Sequence, residues 1–213
     1  MLTVHHLRRS QSERIVWLCE ELGLAYALKC YDREPVSMLA PPEYKALHPM
    51  GAAPVITDDD LALAESGAIV DYVIARHGAG RFALASTHPD FATYLYWLHF
   101  ANGNLQPNMG RNMVLHRLDL PDDNATKLGM RARLDRALGH LDEHLADEPY
   151  LAGAEFTAAD IMSVFSLTTM RLFYPLDLAP WPNILAYLQR IGARPAYRSA
   201  MAKGDPGMAP MLT

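Results

Sequence analysis

Apolar and polar positions recur in two different rhythms along this chain, and the change near residue 80 predicts two differently built halves. In the first half, residues 2–7 read as a strand. Residues 12–22 read as a helix with Ile15, Val16, Leu18, Cys19 and Leu22 on one side and Gly23 as its stop. A second strand follows at 25–31, then a short helix at 42–47 after Pro41-Pro42. A hairpin pairs 55–57 with 61–63 across Asp58-Asp59-Asp60. Residues 66–76 close this half as a helix ended by His77-Gly78. That order predicts a small mixed sheet with helices on its faces.

Beyond Gly78-Ala79-Gly80 the strand signal disappears. One long helical pattern runs from 89 to about 115 through Phe91, Tyr94, Leu95, Leu98 and Leu105. A second passes through Leu128, Leu134, Leu138, Leu141 and Leu145. Further helices are predicted at 158–170, 182–191 and 195–203. The boundary is placed near 79–88, with an α/β domain over 1–80 and an all-α domain over 89–213. Within the second half, Thr157-Ala158-Ala159-Asp160 spells a capping box: the hydroxyl accepts a helix amide and the acid reaches back to the cap. Phe156 and Ile161 form the flanking hydrophobic staple.

Composition narrows the function classes. The 213 residues are 50% hydrophobic and 20% charged, enough for one large core or two small ones. A net charge of −5 and a pI near 6.0 argue against nucleic acid, which calls for a concentrated basic surface. The first ten residues lack an apolar signal core, and no apolar run reaches the roughly 20 residues that span a bilayer. Cys19 and Cys30 sit in apolar patterns and read as small buried residues of a reducing compartment, with a disulfide between them as the alternative. A soluble cytoplasmic protein without membrane or nucleic-acid partners is expected. His140 and His144 stand four apart on a predicted helix, but no zinc motif surrounds them and Asp142-Glu143 points to a solvated face, so no metal is expected.

The candidate chemistry lies where a short apolar strand, Leu61-Ala62-Leu63-Ala64, runs into Glu65 and Ser66 just as a helix begins. Unpaired amides at a helix start suit a carboxylate, and Ala53-Pro54, ten residues earlier, offers backbone for an extended peptide. Together they describe a site for a small zwitterionic peptide. These residues, with His48-Pro49-Met50-Gly51, the Thr157 capping box, Tyr150-Leu151-Ala152-Gly153 and Ala193-Arg194-Pro195-Ala196-Tyr197, resemble the glutathione S-transferase superfamily over almost the whole chain. The resemblance is to serine-type bacterial and fungal members. It implies a thioredoxin-like N-terminal domain, an all-α C-terminal bundle, a homodimer and glutathione as co-substrate.

By the same resemblance, Ser66 and its amide hold the γ-glutamyl carboxylate and Glu65 takes the amino group. A cis Pro54, following Ala53, turns Val55 toward the cysteinyl residue. A hydroxyl after the first strand stabilises the thiolate, with Ser10 as the better match and Ser12 in reserve. A free thiol has a pKa near ~8.5. Lowering it by about two units takes roughly 2.7 kcal/mol. A hydrogen bond to a charged group supplies about 1.5–3 kcal/mol and a helix N-terminus roughly 0.3–1, so one hydroxyl there suffices. A purely structural role competes, because Ser10-Gln11-Ser12-Glu13 is itself spaced as a capping box.

The second, apolar and electrophilic substrate would lie between the domains, with Leu7, Arg8, Tyr94, Met109, Met113, Phe173 and Tyr174 as candidates. The chain departs from the family at Ala52, Met38 and Asn102, where relatives carry charged or amide side chains. His48, Arg8 or Arg33 would then have to help hold the glycine carboxylate. The expected activity is thiolate attack on the electrophile. The alternatives are a glutathione-dependent peroxidase or disulfide reductase, and a non-catalytic interaction protein.

Overall fold

The computed structural model describes residues 1–118 and 120–213, which fall into two compact units. The first unit contains Met1–Ala83 together with Gly192–Pro210. Its sheet is built from β1 (Leu2–Leu7), β2 (Ala27–Tyr31), β3 (Val55–Asp58) and β4 (Leu61–Ala64) in the order β2-β1-β3-β4. β1 runs parallel to β2, with Val4 opposite Leu28, and antiparallel to β3, with Val4 opposite Ile56. Five of the six residues of β1 are buried, as suits a central strand covered on both faces.

Three helices punctuate this sheet: α1 (Glu13–Leu22), the four-residue α2 (Pro42–Lys45) and α3 (Ser66–Arg76). Gly23 ends α1 at φ 65, where its amide and that of Leu24 close on the carbonyls of Glu20 and Cys19. β1 and α3 coincide with the predicted spans. The expected strand at 25–31 begins at Ala27, and the helix at 42–47 stops at Lys45.

Sequence pattern places the last helix, Pro195–Gly204, in the helical half, whereas in the fold it clusters with the sheet unit. Tyr197 meets Trp17 of α1 edge-on at 4.9 Å. Glu20 accepts from Ser199 at 2.6 Å and pairs with Lys203 at 2.7 Å, while Arg194 grips both oxygens of Glu21 at 2.6 and 2.8 Å.

The second unit, Leu84–Ile191 with Met211–Thr213, is helical. It contains α4 (Phe91–Phe100), α5 (Gln106–Arg117), α6 (Ala125–Asp147), α7 (Ala158–Leu167) and α8 (Pro182–Ala193, whose last two residues belong to the first unit); the Pro195–Gly204 helix is α9. The single long helix expected from 89 to 115 is interrupted by a π-helical turn, Ala101–Leu105. The wide turn closes from the Gln106 amide to the Ala101 carbonyl, one residue before Pro107, which has no amide to give Gly103. All ten residues of α7 are buried, so it is the central rod of this unit.

The capping box of α7 forms as expected. Thr157 Oγ1 accepts from the Ala159 amide at 3.3 Å, and Asp160 accepts from the Thr157 amide at 2.8 Å. Asp160 also accepts from the Leu151 amide and the Tyr187 hydroxyl, both at 3.0 Å. Asp142, expected on a solvated face, instead caps α8 by accepting from the amides of Asn183 and Ile184 at 2.8 and 3.0 Å.

Candidate active site

The site is assembled within the first unit, where β1 hands over to α1 and where β4 hands over to α3. After Leu7 the chain turns through Arg9 at φ 55, a left-handed conformation that a non-glycine residue adopts only when its surroundings hold it there. Those surroundings are explicit. Arg33 donates to the carbonyls of Arg8, Arg9 and Met38 at 3.0, 2.9 and 2.7 Å, and the Arg8 amide donates to Tyr31 at 2.9 Å. The loop therefore presents Ser10 and Ser12 from a fixed frame.

Both serines are buried, and their hydroxyls lie 2.8 Å apart. Ser10 Oγ accepts from the Ser12 amide at 3.2 Å, and Ser12 Oγ accepts from the Leu7 amide at 3.1 Å. The capping box spaced as Ser10 to Glu13 is displaced. α1 starts at Glu13, its N-cap is Ser12, and that residue gives no side-chain cap bond. Glu13 is thus the first residue of the helix and not its third.

At the second junction, β4 ends at Ala64 and Glu65 takes φ 73 before α3 begins at Ser66. The left-handed turn leaves the Glu65 carboxylate exposed while Ser66 is buried. Beneath Ser66 lies Arg14, fully buried on α1, donating to Ser66 Oγ at 3.4 Å and to Gln11 Oε1 at 3.1 Å. Gln11 in turn donates to the carbonyl of Ala53 at 2.7 Å, immediately before the cis Ala53–Pro54 bond. Burial pulls the Arg14 guanidinium down to about 9, which leaves it cationic at neutral pH. The start of α3 and this buried cation together make a positive seat for a carboxylate.

Val55 opens β3 with His5 and Ala64 as its register partners, so the Ala53-Pro54 segment meets Glu65 and Ser66 at one end of the sheet. Gln11 and Arg14 are the residues that sequence reasoning missed. Arg14 gave one signal, a charge at the head of the apolar run Ile15-Val16-Trp17-Leu18-Cys19, and Gln11 gave none.

The proposed helpers for a glycine carboxylate are engaged elsewhere. Arg8 pairs with Asp32 at 3.0 Å and donates to Gly204 at 2.8 Å, and Arg33 holds the three carbonyls named above. His48 is half-buried and accepts from the Met50 amide at 3.3 Å through Nδ1. Ala52 and Met38 are exposed.

Of the second-substrate candidates, Leu7 is packed in a cluster with Tyr31, Ala40, Tyr44, Val55 and Ala64. Tyr94, Met109 and Tyr174 are buried in the helical unit, while Met113 and Phe173 are part-exposed there and Arg8 is part-exposed in the first. His140 shares a hydrogen bond with Tyr96 at 2.9 Å, and His144 donates to the Leu151 carbonyl at 3.0 Å. Among the described residues no group of three or more His, Cys, Asp or Glu is placed to hold a metal. Cys19 and Cys30 are unbridged, and burial pushes the Cys19 thiol up to about 12, far from a reactive thiolate. Among the described residues no helix is long and apolar enough to cross a membrane.

A four-stranded mixed sheet in one unit and a helical second unit define a two-part protein with a thioredoxin-like first domain. Residues 9–76 match the family described as "Glutathione S-transferase, N-terminal domain" and residues 74–190 match "Glutathione S-transferase, C-terminal domain". The chain is 33% identical to glutathione S-transferase 3 of Schizosaccharomyces pombe, over 95% of this chain and 88% of that one. It is 28% identical to a glutathione S-transferase of Escherichia coli K12, over 89% and 91%. A crystal structure of a glutathione S-transferase from Actinobacillus pleuropneumoniae superposes with a TM-score of 0.87 at 35% identity, covering 96% of this chain and 93% of that one. The chain belongs to the glutathione S-transferase family.

Proposed function

We propose that this protein is a glutathione transferase that activates the thiol of glutathione for attack on an apolar electrophile. The observation that carries the reading is the linked constellation Ser66–Arg14–Gln11–Ala53, which ties a carboxylate seat to the backbone before cis Pro54. In this reading the γ-glutamyl carboxylate sits at the start of α3 on Ser66. The exposed Glu65 takes the ammonium, and the peptide backbone runs along Ala53, Pro54 and Val55. The sulfur then faces Ser10. The thiol proton leaves to solvent, Ser10 donates its hydrogen to the resulting thiolate, and a sulfur–carbon bond forms as the electrophile's leaving group departs with its electron pair.

Family membership supports glutathione as co-substrate and a homodimer as the assembly. Engagement of Arg8 and Arg33 with the chain's own backbone supports a weaker hold on the glycine end than on the γ-glutamyl end. Met113 and Phe173 are the second-substrate candidates of the helical unit that keep surface to offer.

The test is turnover of an activated aryl halide by Ser10→Ala and Ser12→Ala. Ser10→Ala is expected to lower kcat/KM about a hundredfold, equivalent to roughly 2.7 kcal/mol of lost transition-state stabilisation. Unchanged turnover in Ser10→Ala together with abolition in Ser12→Ala would reverse the assignment. Reduction of a peroxide or disulfide without conjugation would move the same site to the reductase reading.

A further inference from the structure

Behind the two serines lies a buried polar chain that conjugation by a single hydroxyl does not require. Asp205 Oδ2 is 3.1 Å from His6 Nε2, His6 Nδ1 is 2.9 Å from Ser12 Oγ, and Ser12 Oγ is 2.8 Å from Ser10 Oγ. All four residues belong to the first unit and none is more than 5% exposed. We propose that the Asp205–His6 pair fixes the direction of this chain: it takes up the Ser12 hydrogen and leaves Ser10 as the hydroxyl that donates to a bound thiolate. The proposal rests on the reading of Ser10 as thiolate donor. It assigns His6 and Asp205 as positioning residues.

The direction follows from what each group can donate. A carboxylate only accepts, so His6 carries its hydrogen on Nε2 toward Asp205. With that one hydrogen on the ring, the lone pair lies on Nδ1 and Ser12 donates to it. The Leu7 carbonyl, at 3.3 Å, is the longer alternative for that hydrogen. Ser12 Oγ, having donated once, is left as an acceptor for the Leu7 amide and for Ser10. Ser10 accepts from the Ser12 amide and keeps one hydrogen, which rests on Ser12 until a sulfur arrives. The opposite order needs a hydrogen on Nδ1, which leaves a bare Nε2 against the carboxylate or else a charged imidazolium.

The surroundings hold this arrangement in place. Asp205 Oδ1 accepts from the Arg9 amide at 3.0 Å, so the same carboxylate also steadies the loop that carries Ser10. Gly204 admits the imidazole: a Cβ there would lie 3.0 Å from Nε2. Arg33 and Cys30 feel the Asp205 carboxylate through space, and Arg8 acts on Cys30 in the same way. Arg8 is held by Asp32 and Gly204, Arg33 by backbone carbonyls, and Cys30, opposite His6 on β2, has its Sγ 3.9 Å from the carbonyls of Lys203 and Gly204.

Asp205→Asn tests the proton order in an isosteric way. Its amide oxygen can face the Arg9 amide while its NH2 donates to Nε2, which forces the hydrogen onto Nδ1 and reverses the chain. The readout is the ultraviolet absorbance of the thiolate of bound glutathione against pH. The expected result is a bound-thiol pKa raised by about one unit and kcat/KM about tenfold lower at pH values below both pKa values, recovering in alkali, with glutathione affinity unchanged at those lower pH values. In a Ser12→Ala background the same replacement is expected to add nothing, because the relay is already cut. Gly204→Ala, which displaces the ring without changing a polar group, is expected to act in the same direction as Asp205→Asn.

A folded Asp205→Asn variant that binds glutathione with the wild-type thiol pKa would overturn the proposal. Should that variant fail to fold, nitrogen NMR of the wild-type His6 ring decides: hydrogen on Nε2 alone supports the proposal, and hydrogen on Nδ1, in the other tautomer or in the imidazolium, overturns it. Absence of glutathione binding by the wild-type protein would instead remove the functional reading, and the tautomer would still report the proton order.

Discussion

The same four-residue pattern occurs at two helix starts in this chain, and the two copies have different fates. Thr157 to Asp160 closes as a capping box whose acid is buried and satisfied by Leu151, Thr157 and Tyr187. Ser10 to Glu13 has the equivalent spacing, yet the helix begins at Glu13 and neither serine closes the box as spaced. Ser12 turns back to the Leu7 amide and His6, and Ser10 turns to Ser12. Hydroxyls at a helix start are locally interchangeable. What surrounds them decides whether they serve the helix or a site.

Replacing Asp160 with Ala should have the largest effect on stability. Two buried amides and a tyrosine hydroxyl lose their acceptor, which predicts a loss of about 3–5 kcal/mol in urea denaturation while the remaining folded molecules turn over normally. Next comes a matched pair. Thr157→Ala should lower stability by about 1 kcal/mol with kcat/KM unchanged. Ser10→Ala should weigh the other way, with kcat/KM reduced about a hundredfold against a stability loss of only about 1 kcal/mol from the Ser12 amide whose acceptor it removes.

A smaller effect of opposite sign is expected at Glu65. Glycine tolerates φ 73 where glutamate is strained, so Glu65→Gly should stabilise the protein by about 0.5–1 kcal/mol while weakening glutathione binding. That trade separates a residue kept for a ligand from one kept for the fold.

The smallest effect concerns α9. Burial acts to raise the Glu20 carboxyl, but hydrogen bonds from Lys203, Ser199 and Tyr26 outweigh it and hold the pKa below its usual value. A depressed folded pKa means that this contribution is complete above the ordinary carboxylate range near ~4.3 and is lost as pH falls through the folded value. Thermal melting followed across that acid window should therefore fall more steeply for the wild-type protein than for Glu20→Gln.

Local chemistry made much of this legible in advance. β1 and α3 match their expected bounds: Arg8-Arg9 follows the last apolar residue of β1, and Ser66 and His77-Gly78 mark the two ends of α3. The cis bond at Pro54 also appears as expected. The break at Ala101–Leu105 was hidden because apolar spacing continues through it, although Gly103 and Pro107 carried the warning. Asp142 looked solvated because its partners, Asn183 and Ile184, lie 41 and 42 residues away. Arg14 escaped notice because a buried cation has no periodic signature, and its partner Ser66 stands 52 residues away on α3. The His6–Asp205 pair spans 199 residues, so only folding brings it together.

The account stands or falls on whether the start of α3 receives the acidic end of glutathione. Calorimetric titration of glutathione into the wild-type chain and into Ser66→Ala measures this directly. Saturable binding by the wild-type protein, weakened at least about tenfold by loss of a single charge-assisted hydrogen bond, is the predicted result. No saturable heat with the wild-type chain, or superimposable isotherms for the two proteins, would contradict it.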